Sequence, residues 1–195
     1  KLPPKLSVLK LILNKIGDEG AKELAKKLPN DLQVLLLDQN EIGDDGAIAL
    51  AANLPSKLTH LYLNFNNIGH KGATALAKKL PKGLQYLSLG SNRIGQNGAK
   101  ALAKKLPNSL RELELYENNI TDAGAKALAK NLPTDIKILY LDTNNISGHG
   151  AKALAENLPN GLTHLQIHNN SIGTAGKAAL ENAKTNNPDL DIKYN

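Results

Sequence analysis

One segment of 26 residues recurs along almost the whole chain, and this repeat limits the possible folds more than any other feature. Its pattern is L-x-x-L-x-L-x-x-N-x-I-G-x-x-G-A-x-x-L-A-x-x-L-P-x-x. The seven copies begin at Leu6, Leu32, Leu58, Leu84, Leu110, Ile136 and Leu162. A partial copy near 190–192 has Leu190 and Ile192 as its inward residues. We therefore expect residues 1–195 to form a single solenoid domain.

Each repeat changes its hydrophobic period halfway along. In the first part, Leu61 and Leu63 alternate with polar neighbours, which indicates a short strand with one buried face. In the second part, apolar residues follow the i, i+3, i+4, i+7 spacing of a helix stripe, as in Ala73, Leu76, Ala77 and Leu80. In the first six copies a proline just after the stripe is expected to end the helix. The predicted fold class is therefore α/β.

Three further positions of the repeat are predicted to be structural. Asparagine occupies the ninth position of every full copy, and Asn195 takes this position in the partial one. A buried amide both donates and accepts, so we expect a ladder of asparagines that satisfies backbone groups in the turns. Gly72 precedes the helix stripe, where we expect backbones to pass closely. The expected helix N-cap positions hold Asp18, Asp44, Asp122 and Thr174.

This pattern resembles the leucine-rich-repeat family, in the ribonuclease-inhibitor-like version that has a full helix in each unit. The resemblance implies a horseshoe with a parallel sheet on the concave side and helices on the convex side. The repeat arrays of NOD-like receptors and of some bacterial effectors injected into host cells are similar. Unlike ribonuclease inhibitor, the chain has no cysteine and a single repeat length, so ribonuclease inhibition is not implied.

The composition bears on the compartment and on membranes. Without cysteine, the chain has no disulfides, zinc–thiolate sites or cysteine nucleophiles. This absence fits a reducing compartment, so we favour the cytoplasm, or a host cytoplasm if the chain is a bacterial effector. No apolar run approaches the roughly 18 residues that a membrane span needs. We expect neither a membrane partner nor a cofactor.

The outward strand positions vary between copies and carry the predicted binding surface. Five of the six aromatic residues fall in or beside these columns, and Tyr194 takes the matching place in the partial copy. Tyrosine is a common interface anchor, and carboxylates beside its rings favour a protein partner that presents Lys or Arg. The predicted binding residues are His60, Tyr62, Phe65, Tyr86, Glu112, Glu114, Tyr116, Glu117, Tyr140, Asp142 and His164.

The lysine excess falls on the helices, which leaves two alternatives to concave protein binding. The net charge is +6, and we interpret the convex lysines mainly as a solubilising face. The chain has two arginines and no aromatics on that side, so specific nucleic-acid binding is not expected. Weak, salt-sensitive binding of a polyanion is one alternative. The other is regulation of a small GTPase, because Ran-type activators share this repeat class and Arg93 follows a strand.

No arrangement of residues predicts catalysis or a metal site. Glu112 and Glu114 share a strand face, but we expect an open surface that does not raise a carboxyl pKa. His164 and His168 are about 13 Å apart on an extended strand, too far to bind one metal. The sequence has neither a phosphate-binding glycine loop nor a G-x-S-x-G motif. We therefore expect a non-catalytic protein.

The two ends of the array differ in polarity. In the last full copy the helix stripe contains Lys177, Glu181 and Lys184, which is typical of a terminal repeat with a polar outer face. The first strand instead carries outward apolar residues at Val8, Ile12 and Leu13. We expect this edge to be covered by a further segment or by a partner, including a second copy of the chain.

Overall fold

The computed structural model describes residues 2–194, which contain one sheet of eight parallel strands in sequential order. The strands are β1 (Val8–Lys10), β2 (Val34–Leu36), β3 (His60–Tyr62), β4 (Tyr86–Ser88), β5 (Glu112–Glu114), β6 (Ile138–Tyr140), β7 (His164–Gln166) and β8 (Asp191–Lys193). The alternating helices are α1 (Gly17–Ala25), α2 (Asp44–Ala52), α3 (His70–Lys79), α4 (Gly95–Ala103), α5 (Asp122–Ala129), α6 (Gly148–Ala155) and α7 (Gly173–Asn186). The predicted α/β solenoid, with a concave sheet and convex helices, is confirmed.

Neighbouring strands pair at the spacing of the repeat. Leu35 pairs with Leu61, and Leu61 pairs with Leu87. Each position of the repeat therefore forms a column of side chains across the sheet. Between β7 and β8 the sequence separation of paired residues is one residue longer than the repeat, because Leu165 pairs with Ile192.

The core lies between the sheet and the helices and continues through every repeat. Leu61 and Leu63 are fully buried on the sheet side, as are Ala73 and Leu76 on the helix side. The small alanine side chains let each helix lie close to the strands, as the stripe predicts. Burial of this apolar surface is the main term that favours folding of such a chain.

The turns after the strands have an unusual backbone. In every full copy the eighth residue has a positive φ, between 50° and 62°, in Leu13, Gln39, Phe65, Ser91, Glu117, Thr143 and Asn169. Its N–H continues the inter-repeat ladder, as when Phe65 donates to the carbonyl of Gly90 at 2.9 Å. The side chains of Phe65 and Glu117 therefore project from a turn beside the strands.

The predicted asparagine ladder is confirmed for the described residues, and Asn195 lies outside them. The side chain of Asn66 donates to the carbonyls of Leu37, Leu63 and Asn64 at 3.0 to 3.1 Å. Its Oδ1 accepts from the backbone N–H groups of Asn40 at 3.1 Å and Ile42 at 2.9 Å. One buried amide thus satisfies five backbone groups in two adjacent turns, which accounts for asparagine at this position.

The predicted N-cap positions were wrong. Asp44 and Asp122 are the first residues of α2 and α5, and Asp18 and Thr174 lie inside α1 and α7. The N-cap residues of these four helices are instead Ile16, Gly43, Thr121 and Ile172.

The aspartates have a capping role across repeats instead. Asp44 Oδ1 accepts from the backbone N–H groups of Gly69 at 2.8 Å and Gly72 at 2.7 Å, at the start of α3. A Cβ atom at Gly72 would lie 2.8 Å from this oxygen and 2.9 Å from the Cβ of Ala47, so the close approach predicted there is confirmed. The helices that follow α1 and α5 receive equivalent bonds from Asp18 and Asp122.

The ends of the described chain differ as the sequence predicts. β1 is an edge strand, and Val8, Ile12 and Leu13 are 41%, 39% and 69% exposed. At the other end, Lys177 and Glu181 are exposed on α7, and the Tyr194 hydroxyl donates to Glu181. None of the described helices combines the length and the apolar character that crossing a membrane requires.

Candidate functional site

Strand pairing places most of the predicted binding residues in two columns on the concave face of the sheet. One column contains His60, Tyr86, Glu112, Ile138 and His164, and the other contains Tyr62, Ser88, Glu114, Tyr140 and Gln166. Two residues further along, just past the strands, a third column holds Asp38, Asn64, Gly90, Tyr116, Asp142 and His168. We call these three columns, together with Phe65 and Glu117 in the adjacent turns, the concave surface.

An aromatic cluster occupies the part of the concave surface formed by β3 and β4. The ring of His60 stacks on Tyr86 with centroids 4.2 Å apart and an interplanar angle of 11°. It also stacks on Tyr62, at 6.3 Å and 23°. Burial lowers the pKa of His60, which favours the neutral imidazole in this cluster. The three rings thus form one stacked cluster across β3 and β4.

Tyr116 belongs to a second aromatic group, which depends on a glycine. A Cβ atom at Gly90 would lie 2.2 Å from Cζ of Tyr116, so the tyrosine ring occupies space that any other residue would fill. The ring meets Phe65 edge to face, with centroids 6.2 Å apart. Burial, with a smaller contribution from the charge of Glu114, raises the pKa of Tyr116 to about 12. Gly90 was not among the predicted site residues, although it precedes Tyr116 in the same column.

A polar network centred on Glu114 lies between the two aromatic groups. Its Oε2 atom accepts from Ser88 Oγ at 2.5 Å and from Asn64 Nδ2 at 2.9 Å. Asn64 Oδ1 accepts from the N–H of Gly90 at 2.6 Å, and Asp38 Oδ1 accepts from the N–H of Asn64 at 3.0 Å. Asp38, Asn64 and Ser88 were missed as site residues. Their positions in the variable columns were the signal that could have identified them.

The expectation that no carboxyl pKa would be raised on this surface was wrong. Burial raises the pKa of Glu112, and the charge and hydrogen bond of nearby Glu114 raise it further. Glu112 lies between Tyr86 and Ile138 on the flanking strands, whose side chains remove water from the carboxyl group. Burial also raises the pKa of Asp38, with a contribution from Glu114. The concave surface thus brings several partly buried carboxyl groups together.

Asp142 forms a pair with His168 that the sequence did not predict. Asp142 is buried, and its Oδ1 atom lies 2.8 Å from His168 Nδ1. The same oxygen accepts from the N–H of His168 at 3.2 Å. Burial raises the pKa of Asp142, and the charge of His168 opposes this shift. Within residues 2–194, no group of three or more His, Asp or Glu side chains could hold a metal ion.

Three further residues that the sequence singled out lie apart from these groups. His164 is exposed on β7 and its Nδ1 lies 2.9 Å from Thr163 Oγ1. Tyr194 lies at the C-terminal end, where Lys177 Nζ is 6.0 Å from its ring centroid. Arg93, the residue behind the GTPase alternative, is exposed in the turn between β4 and α4.

Comparisons with known proteins agree with the architecture. The family described as "Leucine Rich repeat" matches residues 3–25, 29–51, 55–77, 84–103 and 107–129, which together make up more than half of the chain. No curated protein matches the sequence. A similar solved structure is described as "Leiomodin-1 Actin-Binding Site 2 (ABS2)", with 20% sequence identity and a TM-score of 0.55. The alignment covers 77% of this chain and 78% of that chain, and at this identity it supports the fold alone.

Proposed function

Because this chain belongs to the leucine-rich-repeat family, we propose that it is a non-catalytic protein-interaction module that binds its partner on the concave surface. The observation that carries the proposal is the convergence of tyrosines and carboxyl groups from β3 to β6 on one face of the sheet. Rigid aromatic side chains beside polar groups are typical of the residues that dominate binding energy at protein interfaces. The tyrosines and carboxyl groups line a broad, open sheet, so they are better suited to binding a protein surface than a small ligand.

The chemistry of the concave surface favours a partner that presents Lys or Arg. Burial raises the pKa values of Tyr62 and Tyr140, and the charges of Glu112 and Glu114 raise them further, so both carboxylates act on the same face of the sheet. A cation at this place would relieve the repulsion between the carboxylates and could also lie over a tyrosine ring. A guanidinium group fits best, because it pairs with a carboxylate through two parallel hydrogen bonds and stacks on aromatic faces.

The test uses the chain as bait beside a variant in which Tyr62, Tyr86, Tyr116 and Tyr140 are changed to alanine. None of these side chains belongs to the buried core, so we expect both proteins to show the same circular dichroism spectrum. A matched control carries four alanines on the helical side, in or just after the helices, at Lys27, Lys79, Lys130 and Lys152, which are all exposed. A prey protein captured by wild type and control, and lost from the tyrosine variant, would support the proposal.

Purified actin is one defined prey for the same comparison, because the similar leiomodin-1 structure is described as an actin-binding site. Capture of the same preys by wild type and the tyrosine variant would place binding elsewhere and refute the concave proposal. Loss of prey from the lysine control alone would point to the helical face instead.

A further inference from the structure

The charge along the chain is unevenly distributed. All 18 Asp and Glu residues lie outside residues 46–111, so α3, α4 and most of α2 carry no acidic side chain. The same stretch is rich in lysine, and on α3, on α4 and directly after α4 it holds Lys71, Lys78, Lys79, Lys100, Lys104 and Lys105. These helices lie next to each other in the array. The middle of the convex side is therefore uniformly basic.

Several lysines on the other helices have a carboxylate within ion-pair distance. Lys22 Nζ lies 2.7 Å from Glu19 on α1, and Lys184 Nζ lies 3.7 Å from Glu181 on α7. Among the described residues, none of the six lysines on α3, on α4 or directly after α4 is within ion-pair distance of a carboxylate. Their charges add to a positive potential that is strongest over these two helices.

Two apolar grooves run through this basic region. The groove between α3 and α4, of about 280 Å³, contains Ala77 and Ala101 between Lys78 and Lys104. The groove between α2 and α3, of about 320 Å³, shares Lys78 and adds Ala75 and Ile48. Ile48 is 43% exposed and adds a large aliphatic side chain to this groove. Apolar floors flanked by lysines of α3 and α4 thus extend across three helices.

The groove between α5 and α6 shows that these features do not simply follow from the repeat. It also contains two lysines, Lys126 and Lys152. Asp122 and Glu156 line the same groove, and Glu156 lies 3.8 Å from Lys152. The combination of apolar groove and uncompensated lysines belongs to α2–α4.

We propose that the surface of α2, α3 and α4 docks an acidic, amphipathic segment of a partner protein. Apolar side chains of the segment enter the two grooves, and its carboxylates meet the lysines on the rims. An amphipathic helix that lays its apolar face in a hydrophobic groove is a common way of recognising a peptide. Single-stranded nucleic acid would use base-stacking aromatics or arginines, and these three helices contain no Phe, Tyr, Trp or Arg.

The proposal is tested with a fluorescein-labelled peptide of about 20 residues, a length that supports a helix, with Glu on one face and Leu on the other. Fluorescence anisotropy measures its binding to wild type and to a triple variant with Lys78, Lys104 and Lys105 changed to Glu. We expect the triple variant to bind at least about tenfold more weakly, because attraction becomes repulsion. The matched control changes Lys126, Lys130 and Lys152 to Glu, and we expect it to bind nearly as well as wild type.

A second variant separates groove docking from simple charge attraction. Ile48→Ser removes apolar surface without changing the charge, and we expect it to weaken peptide binding about fivefold. Labelled polyglutamate and duplex DNA of similar charge should bind far more weakly than the amphipathic peptide. The proposal would be overturned if the polyanions bound as well as the peptide, or if wild type did not bind the peptide at all. It would also be overturned if Ile48→Ser left peptide binding unchanged, or if the control triple weakened it as much as the Lys78, Lys104 and Lys105 triple. The concave tyrosine variant should bind the peptide normally.

Discussion

Glu112 shows how a regular array changes the properties of one side chain. Its neighbours in the column, Tyr86 and Ile138, come from the repeats before and after it, 26 residues away in each direction. These side chains take water from the carboxyl group, and Glu114 adds negative charge to the same face. Ionised Glu112 is therefore less favourable in the folded protein than in the unfolded chain.

We expect Glu112→Gln to increase the free energy of unfolding at neutral pH. The folded-state pKa of Glu112 is raised, so ionisation destabilises the fold above that pKa and has no effect below the unfolded value. The stabilisation should therefore shrink as the pH falls through the ordinary glutamate range, near 4.5. Urea unfolding across this pH range measures it.

The control for this prediction is Glu41→Gln, at an exposed turn position. We expect it to change the free energy of unfolding by less than about 0.5 kcal/mol at any pH. If Glu112→Gln destabilised the protein at neutral pH, or if both variants behaved alike, the interpretation that ionised Glu112 destabilises the folded protein would be wrong.

At the scale of elements, the helices of this protein depend on the repeat before them. The start of α3 is capped by Asp44, which belongs to α2, and the backbone N–H groups that it binds are those of Gly69 and Gly72. Among the described helices, only α6 has an N-cap side chain that accepts a hydrogen bond from a backbone N–H of its own helix. Adjacent repeats are therefore coupled by these capping hydrogen bonds as well as by the shared core.

We expect Asp44→Ala to lower the free energy of unfolding by about 1 kcal/mol, which is a typical cost of losing a helix N-cap. The loss of protection from hydrogen exchange should be found at the first turn of α3, and α2 itself should be much less affected. Asp45→Ala is the matched control, because Asp45 is exposed and its oxygen is 3.7 Å from Lys22. Greater loss of protection in α2 than in α3 would show that Asp44 acts within its own helix.

At the scale of the whole molecule, stability in a linear array depends on position. A central repeat has neighbours on both sides, whereas β1 pairs only with β2. Leu113 of β5 is fully buried, and Leu9 of β1 remains 8% exposed. Because most contacts of a repeat are with its immediate neighbours, a defect at the edge can be confined to one unit.

We therefore expect Leu113→Ala to cost about 3 kcal/mol and Leu9→Ala roughly half as much, since the edge repeat relaxes more easily around the cavity. Chemical denaturation followed by circular dichroism measures both. Hydrogen exchange should show that Leu9→Ala exposes β1 and α1 alone, and that Leu113→Ala lowers protection throughout the array. Equal costs at the two sites would indicate that the array unfolds as one unit whatever the position of the defect.

The amino-acid sequence by itself determined the α/β solenoid, the buried face of each strand and helix, and the asparagine ladder. It could do so because these features depend on periods within one repeat and on a spacing of 26 residues that sets the register. Leu61 and Leu63 lie inside for the same local reason in every copy. The columns that form the concave surface follow directly from that register.

Only the tertiary structure decided which side chains meet across the repeats. It placed Tyr116 over Gly90, joined Glu114 to Asn64, 50 residues earlier, and assigned the cap of α3 to Asp44. These contacts depend on the distance between stacked backbones and on the rotamers that fit there, and neither can be read from the period of the repeat. The same packing excluded water from Glu112 and raised its pKa, because desolvation is a property of the assembled surface.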